Sequence, residues 1–528
     1  MIATEIELKL DARARDVSRL ARALEARSGC APTRARLVNT YYDTSDHALA
    51  RLGLALRVRE QNGRFVQTVK SADPSGMPQL ARGEWEDPIA GPQPDLQAAV
   101  SGPQLPRDIA GRLVPLFRTE VNRRLIDLSP MPGTQIEAAI DRGRIIAPGH
   151  AGSEPISEVE LELKSGAPAA LYDVALDLLA VAPLRAWGPS KAERGYRLSA
   201  GERRVPTAVH AAALALDPAI SGDEALRRIG TACLNQLLRN EPAVLAGDAE
   251  GIHQMRVAAR RLRAILSAFG RMLPLDQRRW AAQELRWLAD ALSAARNLDV
   301  LAGTLLATAP PALADADGLA ALCRAIERRR RAAYAKAISA VRSPRYTAAL
   351  LRLLRWFEGC FWHDGASPRL QKPIGVIAGR VLDRRRHVVE RRSKGFAKQS
   401  APERHRLRIA LKKLRYAVEL LGGLYDSGEV EGFVRRLKRL QDDLGEANDL
   451  RVARDIVAEL AWPARNNAAA LAAAAAVLNW HQRRLAGREA QLRQHLARLL
   501  DAPSFWRAVS PGRSPDSPAT FSRRANRR

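Results

Sequence analysis

The sequence predicts a chain of two unlike parts: a mostly antiparallel β domain, then an all-α region built from a duplicated helical unit. Three observations predict it. The apolar period changes near residue 205 from two to about 3.6 residues. The charge divides at nearly the same place: residues 1–200 hold 26 Lys+Arg against 25 Asp+Glu, and the remainder holds 58 against 32, almost all of the formal +27. Finally, a histidine-headed helical pattern recurs after 152 residues.

In the first part, short alternating runs follow one another: EIELKL from Glu5, LALRVRE from Leu54, RFVQTVK from Arg64, GEWED from Gly83, RRLIDL from Arg123, QIEAAI from Gln135, RGRII from Arg142 and SEVELELK from Ser157. Turn clusters such as QNGR, SADPSGMP and AGSEP separate them, and helical stretches interrupt near Asp16–Arg27 and Ala169–Ala182. A Pro- and Gly-rich stretch from Pro88 to Pro106 reads as a long loop.

Alternation puts Glu5, Glu7 and Lys9 on one face of the first strand, Arg57 and Arg59 on one face of another, and Glu158, Glu160, Glu162 and Lys164 on one face of the last. Arg82, Glu84 and Glu86 alternate likewise. Charged ladders on four or more strands do not suit a single wet surface, but they are what a closed barrel with a charged lumen requires. The charges are therefore expected to point inward and the apolar faces outward, against flanking helices.

Such a lumen has a definite chemistry. Carboxylates offer hard oxygen ligands for Mg²⁺ or Mn²⁺, and Lys or Arg offers donors to phosphoryl oxygens. Only 11 of the 84 basic residues are lysines, and four of them, Lys9, Lys70, Lys164 and Lys191, lie at or beside the charged runs of the first part. A compact ammonium suits a phosphate there. No Gly-rich phosphate loop of the G-x-x-x-x-G-K-[ST] type is present.

In the second part, HQMRVAARRLR from His253 is matched by HRLRIALKKLR from His405, and LSAARNLDVL from Leu292 by LGEANDLRVA from Leu444, the latter pair read as turn-like. Two related helix bundles about a pseudo-twofold axis are the expected architecture. On a helix, His253, Arg256, Arg260 and Arg263 fall within an arc of about 80°, and His405, Arg408, Lys412 and Arg415 do the same. Each repeat thus carries a basic ridge fit for an anion. The mismatch of Ser293 with Gly445, and of Asn297 with Asp449, argues against equal contributions from the two repeats. The runs Arg328–Arg331 and Arg384–Arg386 read as general positive field.

The expected boundaries are a tunnel domain over 1–203, a linker over 204–222, a helical domain over 223–500 with repeats at about 223–360 and 372–500, and a disordered basic tail over 501–528. Cys30, Cys233, Cys323 and Cys360 lie far apart with no C-x-x-C pair, which fits a reducing cytosol and indicates neither a disulfide framework nor a zinc cluster. No basic-then-apolar leader opens the sequence and no apolar run is long enough for a bilayer, so a cytoplasmic protein without a membrane partner is expected.

The E-x-E-x-K run of Glu5, Glu7 and Lys9, YYDT at Tyr41–Thr44, LRVR at Leu56–Arg59, the lysine ending TVK, EVELE at Glu158–Glu162 and SKAERGY at Ser190–Tyr196 together resemble the CYTH domain of the triphosphate tunnel metalloenzymes. The doubled histidine helices resemble the CHAD domain, and the order of the two resembles a family of bacterial inorganic triphosphatases. That resemblance implies an eight-stranded antiparallel β tunnel and divalent-metal-dependent hydrolysis of inorganic triphosphate. It implies metal ligands at Glu5, Glu7, Glu158, Glu160 and Glu162, with Glu5, Glu7 and Lys9 catalytic. Substrate would be held by Lys9, Arg57, Arg59, Lys70, Arg82, Arg123, Asp141, Lys191 and Arg194. For the CHAD half, it implies inorganic polyphosphate on the ridges of His253, Arg256, Arg260, Arg263, His405, Arg408, Lys412 and Arg415, with docking on polyphosphate granules.

Tripolyphosphate, ATP and thiamine triphosphate present the same triphosphate to the same charges, so hydrolysis of the first and adenylate cyclase or thiamine triphosphatase chemistry are not separated by sequence. A non-catalytic sensor whose cationic half holds nucleic acid is the other class of reading. Against it, few aromatics sit among the basic stripes to stack on bases.

Overall fold

The computed structural model describes residues 4–71, 82–97, 105, 107–149, 152–186, 188–201, 206–460 and 468–507. The first part is a nine-stranded antiparallel sheet: β1 (Thr4–Ala12), β2 (Thr33–Thr44), β3 (Leu54–Gln61), β4 (Arg64–Ser71), β5 (Arg82–Ile89), β6 (Leu113–Met131), β7 (Thr134–Ile146), β8 (Ser153–Ser165) and β9 (Leu184–Ala186). Its order is β5-β4-β3-β2-β6-β7-β8-β1-β9, with a further pairing of β5 to β1. That pairing, Thr4 with Gly83 and Glu5 with Arg82, closes eight strands into a ring. The three-residue β9 is an addition on the β1 edge, pairing at Leu10–Ala12. The expected eight-stranded tunnel is therefore the closed part of a nine-stranded sheet.

Four helices belong to this part: α1 (Val17–Ser28), α2 (Ala48–Arg51), α3 (Ala169–Val181) and α4 (Lys191–Ser199). The two helical stretches read from the sequence are α1 and α3. Leu8, Leu10, Ile126, Ile136, Ile140, Val159 and Leu161 point out of the barrel into a core shared with Leu20 and Leu24 of α1 and Leu171, Val174 and Leu178 of α3. The opposite wall packs Leu56, Val58 and Val69 outward under Leu49 and Ile109. These two walls are apolar on the outside, so the charged ladders of β1, β3 and β8 face the lumen.

QIEAAI and RGRII, two runs in the sequence, form the single strand β7. Gly143 permits this, because a Cβ there would stand 1.9 Å from the Glu120 carbonyl oxygen of β6. β2 has no clean alternation to announce it, since Tyr41 and Tyr42 are both buried and a bulge follows where Tyr42 meets Pro115.

After an irregular stretch, the second part contains α5 (Gly222–Arg239), α6 (Glu241–Leu245), α7 (Ala249–Ala268), α8 (Leu275–Ala291), α9 (Ser293–Val300), α10 (Ala316–Val341), α11 (Pro344–Glu358), α12 (Ile374–Ser393), α13 (Ala401–Leu421), α14 (Ser427–Leu460), α15 (Ala468–Ala486) and α16 (Glu489–Leu500). The 152-residue offset carries the start of α5 onto α12, α7 onto α13, and α10 onto α15. α7 packs on α13, which places the two histidine helices at the centre of the repeat pair.

Two expectations are corrected. The turn-like stretches are helical: residues 293–300 form α9 and residues 444–453 lie inside the 34-residue α14. The tail does not begin at residue 501, because Phe505 and Trp506 are buried and the Trp506 indole donates to Asp383 at 2.9 Å. The rest of the expected tail, from residue 508, lies outside the described residues, as do residues 98–104 and 106 of the loop expected to end at Pro106.

Candidate active site and anion pore

The register of the barrel decides which charges meet. Asp141 of β7 pairs with Glu158 of β8, which pairs with Asp11 of β1; on the next rung, Glu160 pairs with Lys9; on the next, Glu162 lies between Glu7 and Glu137. Oxygen atoms of Asp141, Glu158 and Glu160 all lie within 4.8 Å of one another. Three carboxylates cannot gather without cations, and three cations converge on them. Lys191 Nζ lies 2.7 Å from Asp141 Oδ2 and 2.8 Å from Glu160 Oε1, and it also contacts Glu158. Arg123 donates through Nε and Nη2 to both oxygens of Asp141, at 2.7 and 2.6 Å, and through Nη2 to Glu160 Oε2 at 2.7 Å. Lys9 Nζ stands 2.8 Å from Glu158 Oε2 and donates to the Pro189 carbonyl at 2.9 Å.

These contacts set the ionisation. Burial alone would lower the pKa of Lys191, but Asp141, Glu160 and Glu158 outweigh it and hold the ammonium well above its ordinary range. Burial alone would raise Glu160, yet Lys191, Arg123 and Lys9 keep it well below the usual carboxylate range. Asp141 is lowered in the same way by Lys191 and Arg123. Lys191, Glu160 and Asp141 are thus all charged at neutral pH.

On the far wall, Arg57 Nη2 lies 3.0 Å from Glu84 and 3.6 Å from Glu86, and Lys70 Nζ lies 2.7 Å from Glu84. Arg59 donates to Asn39 Oδ1 at 3.2 Å, and its pKa falls to about 10 under the charge of Arg57 and burial. Glu5 and Arg82 share the rung that closes the ring.

α4 fills one end of the barrel. Its capping box at Ser190 and Glu193 fixes the first turn, so Lys191 enters the lumen at a set height. Its apolar side meets Phe117, which stacks on Tyr41 at 4.5 Å and meets Tyr196 edge-on at 5.2 Å, among Leu37, Val121, Ile145 and Ile156. Gly195 allows this approach, since a Cβ there would stand 2.0 Å from the Phe117 ring. One end of the lumen is therefore apolar and closed, and the charged rungs lie beyond it.

The sequence-derived residues thus fall into groups. Lys9, Arg123, Asp141, Glu158, Glu160 and Lys191 are brought into one cluster. Glu7 and Glu162 form the next rung, where Lys164 also reaches Glu162. Arg57, Arg59 and Lys70 stand on the facing wall. Arg194 is set apart: it donates to Glu154 at 2.6 Å and lies 3.6 Å from Glu158, anchoring α4. Glu84 and Glu86 lie on lumen-facing positions, as their alternation in the sequence implies, and Asn39, Thr119 and Glu137 also do, unassigned from sequence.

The second site is where the histidine helices meet. Arg256 is buried and donates to the Ala289 carbonyl at 2.9 Å and to Ser293. Burial, Arg260 and Arg296 lower its pKa to about 9. Lys412 is brought down to about 7 by burial, Arg408 and Arg260. Charges from α7 and α13 therefore feel each other across the helix pair, and the two ridges form one basic site, a candidate anion pore. His253 is lowered to about 4 by burial and Arg296, so at neutral pH it enters the pore as an uncharged ring. The repeats differ as their mismatches imply: Ser293 takes the first arginine, whereas Asp449 counters burial at the second, Arg408. Arg263 and Arg415 extend each ridge toward Asp290 and Asp442.

Hard carboxylate oxygens gathered in a cation-lined lumen fit Mg²⁺ or Mn²⁺ as a donor set. No helix among the described residues is long and apolar enough to cross a membrane, and all four cysteines are free.

Comparison with known proteins gives two family matches, to the CYTH domain over residues 3–196 and to the CHAD domain over residues 228–458. An inorganic triphosphatase of Haemophilus influenzae is 35% identical over 166 residues, 31% of this chain and 46% of that protein, so the chain spans about half the length of that relative. An uncharacterized protein of Mycobacterium tuberculosis is 26% identical over 447 residues, 79% of this chain and 80% of its own length. Among solved structures, the CHAD domain of the plant Ricinus communis is 30% identical, with a TM-score of 0.47, over 58% of this chain and 98% of that one.

Proposed function

Because the chain carries a CYTH domain followed by a CHAD domain, we propose that its tunnel hydrolyses inorganic triphosphate to pyrophosphate and phosphate with Mg²⁺ or Mn²⁺, and that its pore binds inorganic polyphosphate. The observation that carries the reading is the inward convergence of carboxylates and cations in a closed barrel, with the triphosphatase relative as support.

In this reading Lys9, Arg57, Arg59, Lys70, Arg123 and Lys191 neutralise and align the phosphoryl oxygens, with Arg82 on the closing rung. Asp141, Glu158, Glu160, Glu7 and Glu162, with Glu5, would hold the metal. When bound, it supplies charge neutralisation and an activated water. The ion pairs of Arg123 and Lys191 are the ones substrate must exchange, because a phosphoryl oxygen offers these donors the same charge-assisted bond that Asp141 and Glu160 offer now. The apolar end at Phe117 keeps the chain of phosphates from threading past α4.

Purified protein should release phosphate from tripolyphosphate only with divalent metal, and Glu7→Gln should abolish that release; robust turnover in EDTA would end the proposal. A panel of tripolyphosphate, ATP and thiamine triphosphate with product identification names the substrate. For the pore, the full chain should prefer long-chain polyphosphate to duplex DNA at matched salt. Pore binding would dock the protein, placed in the cytoplasm by this reading, on polyphosphate granules.

A further inference from the structure

The outer wall of the barrel carries a second concentration of positive charge that neither the tunnel nor the pore uses. Where α1 starts, β2, β6 and β7 form a groove of about 390 Å³ lined by Val17, Ser18, Ala35, Asn122, Ile140 and five arginines, Arg34, Arg36, Arg123, Arg124 and Arg142. All of these arginines except Arg123 have the outward parity, opposite to that of Arg123 and Asp141. Their register stacks like charges: Arg34 lies directly opposite Arg124, and the next rung runs Arg36, Asn122, Arg142 across three strands. Like charges facing each other across a strand pair destabilise a sheet, so the arrangement calls for a counter-charge.

The protein supplies only part of one, and Glu120 feels Arg36 without pairing with it. Arg124 has Glu25 at 3.7 Å, and among the described residues no ion pair is formed by Arg34, Arg36 or Arg142. Glu120, on the following rung, is already held by Arg144 at 2.8 Å and Arg118 at 2.9 Å. The start of α1 is equally open: its N-cap, Asp16, makes no side-chain cap bond and turns its carboxylate to Arg19 at 3.1 Å. First-turn N–H groups of Val17 and Ser18 therefore add positive potential at the rim. This concentration is hidden in the overall charge balance of the first 200 residues.

We propose that this groove binds a segment of inorganic polyphosphate on the outside of the tunnel. Guanidinium forks on successive rungs match a linear row of phosphoryl oxygens. No aromatic side chain lines the groove for a base to stack on, and none of the large exposed apolar side chains borders it for insertion into a lipid surface.

Phenylglyoxal modification of the full chain in EDTA, read arginine by arginine by peptide mass spectrometry, tests it with long-chain polyphosphate as probe. At ten times the Kd, the reactivity of Arg34, Arg36 and Arg142 should fall by about tenfold. The double variant Arg34→Gln/Arg142→Gln should keep its phosphate release from tripolyphosphate while the salt dependence of its polyphosphate binding becomes less steep. Arg260 and Arg408 report the pore separately, so their protection with unchanged reactivity in the groove overturns this inference and leaves the pore intact. Stronger protection of the groove by duplex DNA than by polyphosphate at equal salt also overturns it.

Discussion

Lys191 shows how much a single side chain can hold together. It stands within ion-pair distance of three carboxylates, two of which, Asp141 and Glu158, are fully buried. Lys191→Ala leaves those charges facing each other with Lys9, Arg123 and the more distant Arg194 as the remaining cations, which should cost about 3–5 kcal/mol in denaturant unfolding. Added Mg²⁺ should raise the melting temperature of that variant more than that of the wild type, since the metal replaces the lost charge. The depressed carboxylates Asp141 and Glu160 bind fewer protons folded than unfolded. Their contribution is full above the unfolded carboxylate pKa of about 4 and is lost as pH falls below it.

Lys412 shifts proton binding in the same direction, but as a penalty on the fold rather than a gain. With its folded pKa at about 7, between pH 7 and its unfolded value it is more protonated unfolded than folded, so its penalty on the fold is relieved as pH rises. A polyanion in the pore restores the charge, so polyphosphate binding at pH 8 should take up protons. Calorimetry in buffers of different ionisation enthalpy measures that uptake, and Lys412→Arg should abolish it.

Elements place these residues, and α4 does so most directly. Gly195 lets the helix lie on Phe117, and the capping box at Ser190 holds the turn from which Lys191 projects. Gly195→Val pushes the helix away from the ring. The expected result is a loss of about 1–3 kcal/mol in stability together with reduced phosphate release, because Lys191 moves with the helix. An effect on stability alone would separate α4 from the site. The pore depends on helix continuity in the same way: residues 444–453 lie within one helix, so Asp449 is carried at a fixed height beside Arg408.

At the scale of the whole molecule, the two parts share a packed seam. α3 lies on α11, Thr347 donates to the Leu184 carbonyl at 3.0 Å, and Arg185 pairs with Glu241 at 2.7 Å. Glu241 is pushed up to about 7 by burial, against the pull of Arg185. A carboxyl raised in the fold stabilises below its unfolded pKa, and that contribution is lost as pH rises through about 7. The melting temperature should therefore fall between pH 5 and pH 8 through this group, and Glu241→Gln should flatten the fall.

The sequence by itself determined the two-part architecture, the 152-residue duplication and the lumen-facing parity of β1, β3 and β8, because each is a local periodicity that a strand or helix must obey. It also supplied most of the clustered side chains, since E-x-E-x-K and its companions are short runs on single strands. It did not reveal β2, whose bulge and paired tyrosines break the alternation, nor the role of α4 as an end wall. Tertiary structure alone decided which charges meet. Register between distant strands brings Asp141 to Glu158 and Arg34 to Arg124, and helix packing joins two ridges into one basic site. Periodicity assigns a residue its face, but only long-range pairing assigns it a neighbour, and the strength of a charge interaction depends on the neighbour's distance and burial.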